Sequence, residues 1–458
     1  MRDRTRERRF GWGESHLVHY IREEGMRHKA RLRVIMALSL ALSLMLAACG
    51  GAEEESPSTT SAAVDTTAAP GTTEAPEGTE APEPTEAPAE PLVFGMILVG
   101  PENDRGWSQA HHEAGLYIEE MLGAEMITLD KVNTSDRPDT TPDQVAADMI
   151  DQGAQLVFFT SDDMKDGALA AAAAHPDVPM IWSSGDNAWA DGKAYEPDLS
   201  NLGNSMGRME YGKMIAGCAA ALTTQTGSIS YLGPLINDET RRLVNSAYLG
   251  ARYCWSDVLG NSVDDLAFDV NWIGFWFNIP GFTLDPTEVA NGFFDAGSDV
   301  VISGIDTTEA LVVAGQRAAA DEQVWAVPYD FEGACEEAPS ACLGVPYFNW
   351  RPDYLRIAES VANGTFTAEF NWLGPDWEDI NNQETSSIGW ISGEGLSAEA
   401  SAALDEFIAG LADGSINLFT GPLNYQDGTE WLADGVEATD VEIWYTTQLL
   451  EGIVGPSA

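Results

Sequence analysis

From residue 91 to 458 the chain predicts an α/β protein: two doubly wound parallel-sheet lobes with a ligand cleft between them. Two observations predict it. Short, nearly continuous apolar runs alternate with helical stretches, the pattern of parallel strands joined by crossover helices. The alternation restarts after Gly207, which makes two sets and hence two lobes. The region is longer than one core usually needs. No run in it reaches the roughly 18–20 apolar residues of a membrane helix.

The elements follow in order. LVFGMILV (92–99) is a strand buried on both faces. The loop PENDRGWS leads into the helix QAHHEAGLYIEEML (109–122), and AEMITLD (124–130) is the second strand. TPDQVAADMIDQG (141–153) is a helix capped by Thr141 and stopped by Gly153. QLVFFT (155–160), the helical DDMKDGALAAAAAHP, VPMIWSS (178–184) and SNLGN (200–204) complete the first set. In the second set RMEYGKMIAGCAAALTT is a helix, GSISYLG (227–233) a strand and NDETRRLVNSAYLGARYC a helix. VDDLAFDVNWIG, the helix PTEVANGFFDAG, the strand DVVIS (299–303), the helix TEALVVAGQRAAA and the strand VWAVPYD (324–330) come next. GVPYF (344–348), a helix from near Pro352 and a long helix over 397–414 close the series.

The N-terminal part reads differently. Residues 34–48, VIMALSLALSLMLAA, form a short apolar run that ends in small residues before Cys49. That is the pattern of a bacterial lipoprotein signal. Residues 1–48 are the expected signal peptide, Cys49 the lipidation site, and the mature body is held at the extracytoplasmic face of the cell membrane. MRHKARLR makes Met26 the expected start, because it supplies the basic segment such a signal needs. Residues 49–90, rich in Glu, Pro and Thr with TEAP repeated, are an acidic disordered tether.

Composition excludes several classes. The chain carries 23 Lys+Arg and 73 Asp+Glu. Beyond Cys49, 13 bases face 68 acids, and the lysines are Lys131, Lys165, Lys193 and Lys213. A body so acidic binds no nucleic-acid polymer, since phosphate contacts need Lys and Arg. Four cysteines remain, an even number for an oxidising compartment. Cys335 and Cys342 flank a short loop and can close it, which leaves Cys218–Cys254, one of three possible pairings. No CxxC and no nearby His offers a metal site, so no metal and no cofactor is expected.

In open parallel sheets ligands sit at the carboxyl ends of strands. After the first strand stand Asp104, Trp107, Ser108 and Gln109, with a large ring at a helix start that can stack a planar ligand. After the third stand Ser161, Asp162 and Asp163, and after the fourth Ser183 to Asn187. The second set offers an aromatic crowd (Trp272, Phe275, Trp276, Phe277, Phe282), then Asp306–Thr307, Tyr329–Asp330 and Asn349–Trp350. Asp104, Trp107, Ser108, Ser161, Asp162, Phe282, Asp306, Asp330 and Asn349 are the expected ligand contacts.

Catalysis is not expected. Gly203 to Gly207 fits G-x-S-x-G, but all six histidines precede Ser205, and the nucleophile elbow requires its His afterwards. Adjacent His111 and His112 cannot face one metal from a helix. No Gly-rich phosphate loop with a Lys occurs.

GMILVGPENDRGWSQAHHEAG, followed in order by TSDDM, SNLGNSMGRMEYGKMIAGC, GIDTTEA, PYD and FNW, resembles the basic membrane protein family of ABC-transporter substrate-binding lipoproteins. The likeness covers residues 92 to about 360, and purine-nucleoside receptors are its best-understood members. It implies a type I periplasmic-binding-protein fold. The N-terminal lobe is then expected over 91–205 plus about 331–365, and the C-terminal lobe over 206–330 plus about 366–458. It implies that Trp107 and Phe282 stack on a base from the two lobes, that the Ser161–Asp163 segment reads the base edge, and that Asp330 holds ribose hydroxyls. The lysine that nucleoside binders carry near Asn349 is absent here. The implied partners are a small-molecule solute and an ABC permease, with the receptor a monomer on its lipid anchor and its guest flat and uncharged.

Overall fold

The computed structural model describes residues 91–458. The expected signal, the lipid site at Cys49 and the tether lie outside the described residues. The first set of strands is β1 (Val93–Ile97), β2 (Glu125–Leu129), β3 (Leu156–Phe159), β4 (Met180–Ser183) and β5 (Leu202–Gly207). The second is β6 (Ser228–Gly233), β7 (Ala267–Trp272), β8 (Val300–Ser303) and β9 (Trp325–Val327). Then come β10 (Gly344–Phe348), β11 (Phe370–Leu373) and β12 (Ile388–Ser392).

The first sheet runs β11-β5-β4-β3-β1-β2 and is parallel throughout. The second runs β7-β6-β8-β9, also parallel, with the short strand Ile453–Val454 added beside β7. In each sheet the first strand of the set lies inside, flanked by the second and the third. Chain order therefore reverses between β1 and β3, and between β6 and β8. Loops leaving the carboxyl ends on either side of such a reversal part and open a crevice. β3 and β8 are buried along their whole length, which is why they read as unbroken apolar runs.

The helix Pro142–Asp151 starts as its sequence requires, with Pro142 at its first turn and the Thr141 N–H donating to Gln144 Oε1 at 3.2 Å. Gly153 follows it at φ 106°, a conformation glycine adopts without strain.

The expected lobe boundary in the tail needs correction. Residues from about 366 were assigned to the C-terminal lobe, but β11 joins the free edge of β5 in the first sheet. Only the far end, Ile453–Val454, completes the second sheet. β12 instead pairs antiparallel with β10. A short strand such as FNWL pairs with whichever open edge the fold brings to it, and nothing local in its sequence selects the edge.

The helices Met209–Thr223 and Asp238–Tyr253 cross unusually closely. A Cβ on Gly217 would meet the Ala247 carbonyl oxygen at 1.8 Å. The disulfide Cys218–Cys254 ties the first of these helices to the residue just past the end of the second, and Cys335–Cys342 closes the short loop. The Cys218–Cys254 bridge spans 36 residues. Replacing both cysteines by Ala is expected to cost about 3–4 kcal/mol, chiefly through a freer unfolded chain. A denaturant titration whose midpoint stays unchanged would refute this.

Candidate functional site

Nearly every strand-end loop contributes to one cavity. From the first sheet come Trp107 after β1, Ser161 and Asp162 after β3, and Ser184 after β4. From the second come Glu239 after β6, Trp276 after β7, Asp306 after β8 and Tyr329 after β9. The space left among them is small and largely enclosed, about 20 Å³.

Trp107 is held in place before any ligand arrives. It opens the helix Trp107–Leu122, and Asp104 caps that helix: its carboxylate accepts the N–H groups of Gly106 (2.9 Å), Ser108 (3.0 Å) and Gln109 (3.0 Å). Ser108 Oγ accepts from the Gly100 N–H at 2.9 Å. The indole N–H donates to the Thr160 carbonyl at 2.5 Å, and Phe348, Trp350 and His111 pack edge-on around the ring. Asp104 and Ser108 thus brace the loop behind Trp107 and do not line the cavity. Burial lifts Asp104 to about 6, against the three N–H groups that pull it down.

The lobes meet over the cavity. A Cβ on Gly106 would lie 1.7 Å from the Asp306 carbonyl oxygen, so only glycine permits this approach. Arg105 pairs with Glu336 (3.4 Å) and Glu337 (2.9 Å), and Lys193 with Asp238 (2.5 Å). These pairs are solvent-exposed and contribute little energy.

The carboxylates at the cavity are short of counter-charge. Burial raises Asp162 to about 6, with Asp163 and Asp186 adding to it. Burial raises Glu239 to about 7, partly offset by Arg242. Asp306 lies well above the usual carboxylate range because it is buried and faces Asp330 and Asp104.

Asp330 lies outside the cavity lining, fully buried at φ 74°. Neither of its carboxylate oxygens has a hydrogen-bond partner among the described residues. Its neighbouring cation is Lys213, also fully buried, whose Nζ donates to the Ser303 carbonyl at 2.6 Å and sits 3.2 Å from the centre of the Tyr329 ring. Burial pushes Asp330 up and Lys213 down.

Two further expected contacts also lie outside the cavity. Phe282 is 73% exposed and lies outside the cavity; the second lobe's indole in it is Trp276. Asn349 donates to the carbonyls of Ser386 (2.7 Å) and Gln383 (3.1 Å), which ties down the loop before β12. Sequence reasoning missed Tyr231 and Glu239. Glu239 was findable, since the segment NDET follows β6 as the other site loops follow their strands. Tyr231 lies within β6, and nothing marks it. Lys213 carried a signal too: it is a lone cation in a helix whose other residues are mostly small and apolar.

Ser205 lies within β5, not at a turn after it, and its hydroxyl donates to Asp353 at 2.6 Å. His111 is buried, stacked on Trp350 and bonded to the Tyr354 hydroxyl at 2.8 Å, and burial pushes its pKa down.

Residues 92–264 match the family model described as ABC transporter substrate-binding protein PnrA-like. Over that segment the chain resembles this family, Bmp. A purine-binding protein of Brucella abortus is 27% identical over 352 residues, covering 77% of this chain and 89% of that protein. A putative ABC transporter glucose-binding protein of Haloferax volcanii is 28% identical over 286 residues, covering 61% of this chain and 63% of the relative. A solute-binding protein of an ABC transporter system from Aeropyrum pernix K1 superposes with a TM-score of 0.57 at 11% identity, over 79% of this chain and all of that one. At that identity the likeness establishes the fold, the type I periplasmic-binding-protein fold. The family match and these relatives support a solute-binding role for the chain. No helix among the described residues is long and apolar enough to cross a membrane.

Two predictions follow from the geometry. Gly106→Ala forces Asp306 away, which holds the lobes apart; solute affinity is expected to fall roughly tenfold or more, as it does when the binding-competent state is depopulated. Titration calorimetry measures this, and unchanged affinity would disprove the closure contact. Glu239 and Asp162 hold protons more tightly folded than unfolded, from ordinary values of 4.5 and 3.8 to about 7 and about 6. Their stabilising contribution is therefore full below about pH 4 and lost as pH rises through 6 to 7. Glu239→Gln should raise the melting temperature of the solute-free protein at pH 8 by roughly 2 °C or more. The gain should vanish near pH 4.

Proposed function

We propose that this protein is the lipid-anchored receptor of an ABC importer, that Cys49 carries the lipid, and that the receptor acts as a monomer. Its solute is a small planar molecule of the purine-nucleoside type. One observation carries the reading: Trp107 and Trp276, from opposite lobes, line the same cavity, with Ser161, Asp162 and Asp306 beside them. Two indoles on separate lobes give a flat ring two walls only when the lobes are together. The solute then stabilises the closed form, because only that form offers both walls. Asp162 and Ser161 accept and donate at the ring edge, and Asp306 faces the remainder of the solute. The relative from Brucella, named for purine binding, supports this reading.

A sugar is the second reading. The Haloferax relative is named for glucose, and carboxylates beside aromatic rings also suit a ring of hydroxyls. A thermal-shift panel of nucleosides, free bases and sugars separates the two. Purine nucleosides are expected to give saturable stabilisation without product formation. Stabilisation by sugars alone would replace the first reading with the second. Trp107→Ala should weaken nucleoside binding by about 1–3 kcal/mol, the usual range for a lost base stack.

A further inference from the structure

Four aromatic rings and three carboxylates face one small space, and no lysine or arginine lines it. The rings are Trp107 from the first lobe and Tyr231, Trp276 and Tyr329 from the second. The carboxylates are Asp162, Glu239 and Asp306. Asp306 is only 5% exposed, and its carboxylate takes no hydrogen bond or ion pair among the described residues. Glu239 takes none either, though the charge of Arg242 partly offsets its own. The Trp276 indole N–H, 9% exposed as a residue, is likewise without a partner.

The charged groups packed around these residues supply only part of the missing positive charge. Behind Asp306 lie Asp104, spent on its helix cap, and Asp330. Beside Asp162 lie Asp163 and Asp186, both acidic. Lys213 is committed to Asp330, to the Ser303 carbonyl and to the Tyr329 ring. Arg242 donates to the Trp444 carbonyl at 3.0 Å and faces Glu210 at 3.8 Å. Lys165 lines a neighbouring recess that shares Asp162 and Glu239, and it offsets part of the Asp162 charge. Burial keeps Tyr231 and Tyr329 protonated at neutral pH.

We infer that the solute carries a positive charge spread over its planar group: a protonated or N-alkylated heteroaromatic ring, held among the aromatic walls with Asp306, Asp162 and Glu239 as its counter-charges. The inference rests on the solute-receptor reading and replaces its uncharged guest with a cationic one. Ring faces are negative and attract a desolvated cation, and an unpaired buried carboxylate attracts it more strongly still. The raised proton affinities of Asp162, Glu239 and Asp306 have the same origin, since a proton partly relieves what a bound cation would relieve.

Titration calorimetry at pH 8 on the folded protein tests this with pairs that differ in charge: N1-methyladenosine against adenosine, and 1-methylnicotinamide, methylated on the ring nitrogen, against nicotinamide. The cation is expected to bind about tenfold tighter or more in each pair, a gap of roughly 1.4 kcal/mol. The isosteric variants Asp306→Asn and Asp162→Asn should each narrow that ratio, and a melting curve verifies their folding. Equal or weaker binding of both cations overturns the inference, as does a ratio that neither variant changes, or no binding by any of the four. If adenosine matches its methylated form, the charge inference falls and the purine reading stands. If only the nicotinamide pair binds, with the cation ahead, the purine reading falls and the charge inference stands.

Discussion

At Gly106 the loop leaving β1 comes so near the Asp306 carbonyl that one added methyl group would fill the same space. The binding architecture hangs on that approach. β1 and β8 both border the point where their sheets reverse order, so the contact joins the two crevices into one chamber. Trp107 is the next residue along, and its position follows directly from the contact. Asp104 caps the helix that Trp107 begins, and the Thr160 carbonyl fixes the indole. The ring is therefore rigid on the first lobe. A rigid wall costs little entropy when the solute binds.

The electrostatics of the chamber invert the usual arrangement. Buried carboxylates normally pair with a cation or accept several N–H donors. Asp104 obeys this rule through the helix terminus. Asp306 does not, and Asp330 relies on Lys213, itself buried. Unpaired buried charge costs stability, and sites that carry such a cost are commonly those where a ligand relieves it. The contrast with the surface matters here. Outside, the acidic excess is solvated and mutually repulsive, which keeps the body dispersed. Inside, the same residue type is shielded from water and becomes a specific demand on the guest.

Much of this was legible in the chain. Apolar runs such as QLVFFT fixed β3, and the restart after Gly207 marked the second sheet. Placing chemistry at strand ends found Trp107, Ser161, Asp162 and Asp306, which share the cavity. The same rule, applied after GSISYLG, finds Glu239. It fails at Phe282, which stands exposed beyond the loop while Trp276 turns inward. In so dense a run of aromatics, composition does not say which ring faces which way.

Local sequence determined the type and order of the elements, the helix caps and the residues available at each strand end. These depend on periodicity, apolar content and hydrogen bonds between near neighbours, all of which operate within a few residues. Tertiary structure alone decided that β11 fills the edge of β5, that Lys213 faces Asp330 from another helix, and that Tyr231 reaches the cavity from inside β6. Each depends on contacts between segments far apart in the chain. Such contacts are selected by the packing of the whole body, and no short stretch of residues encodes them.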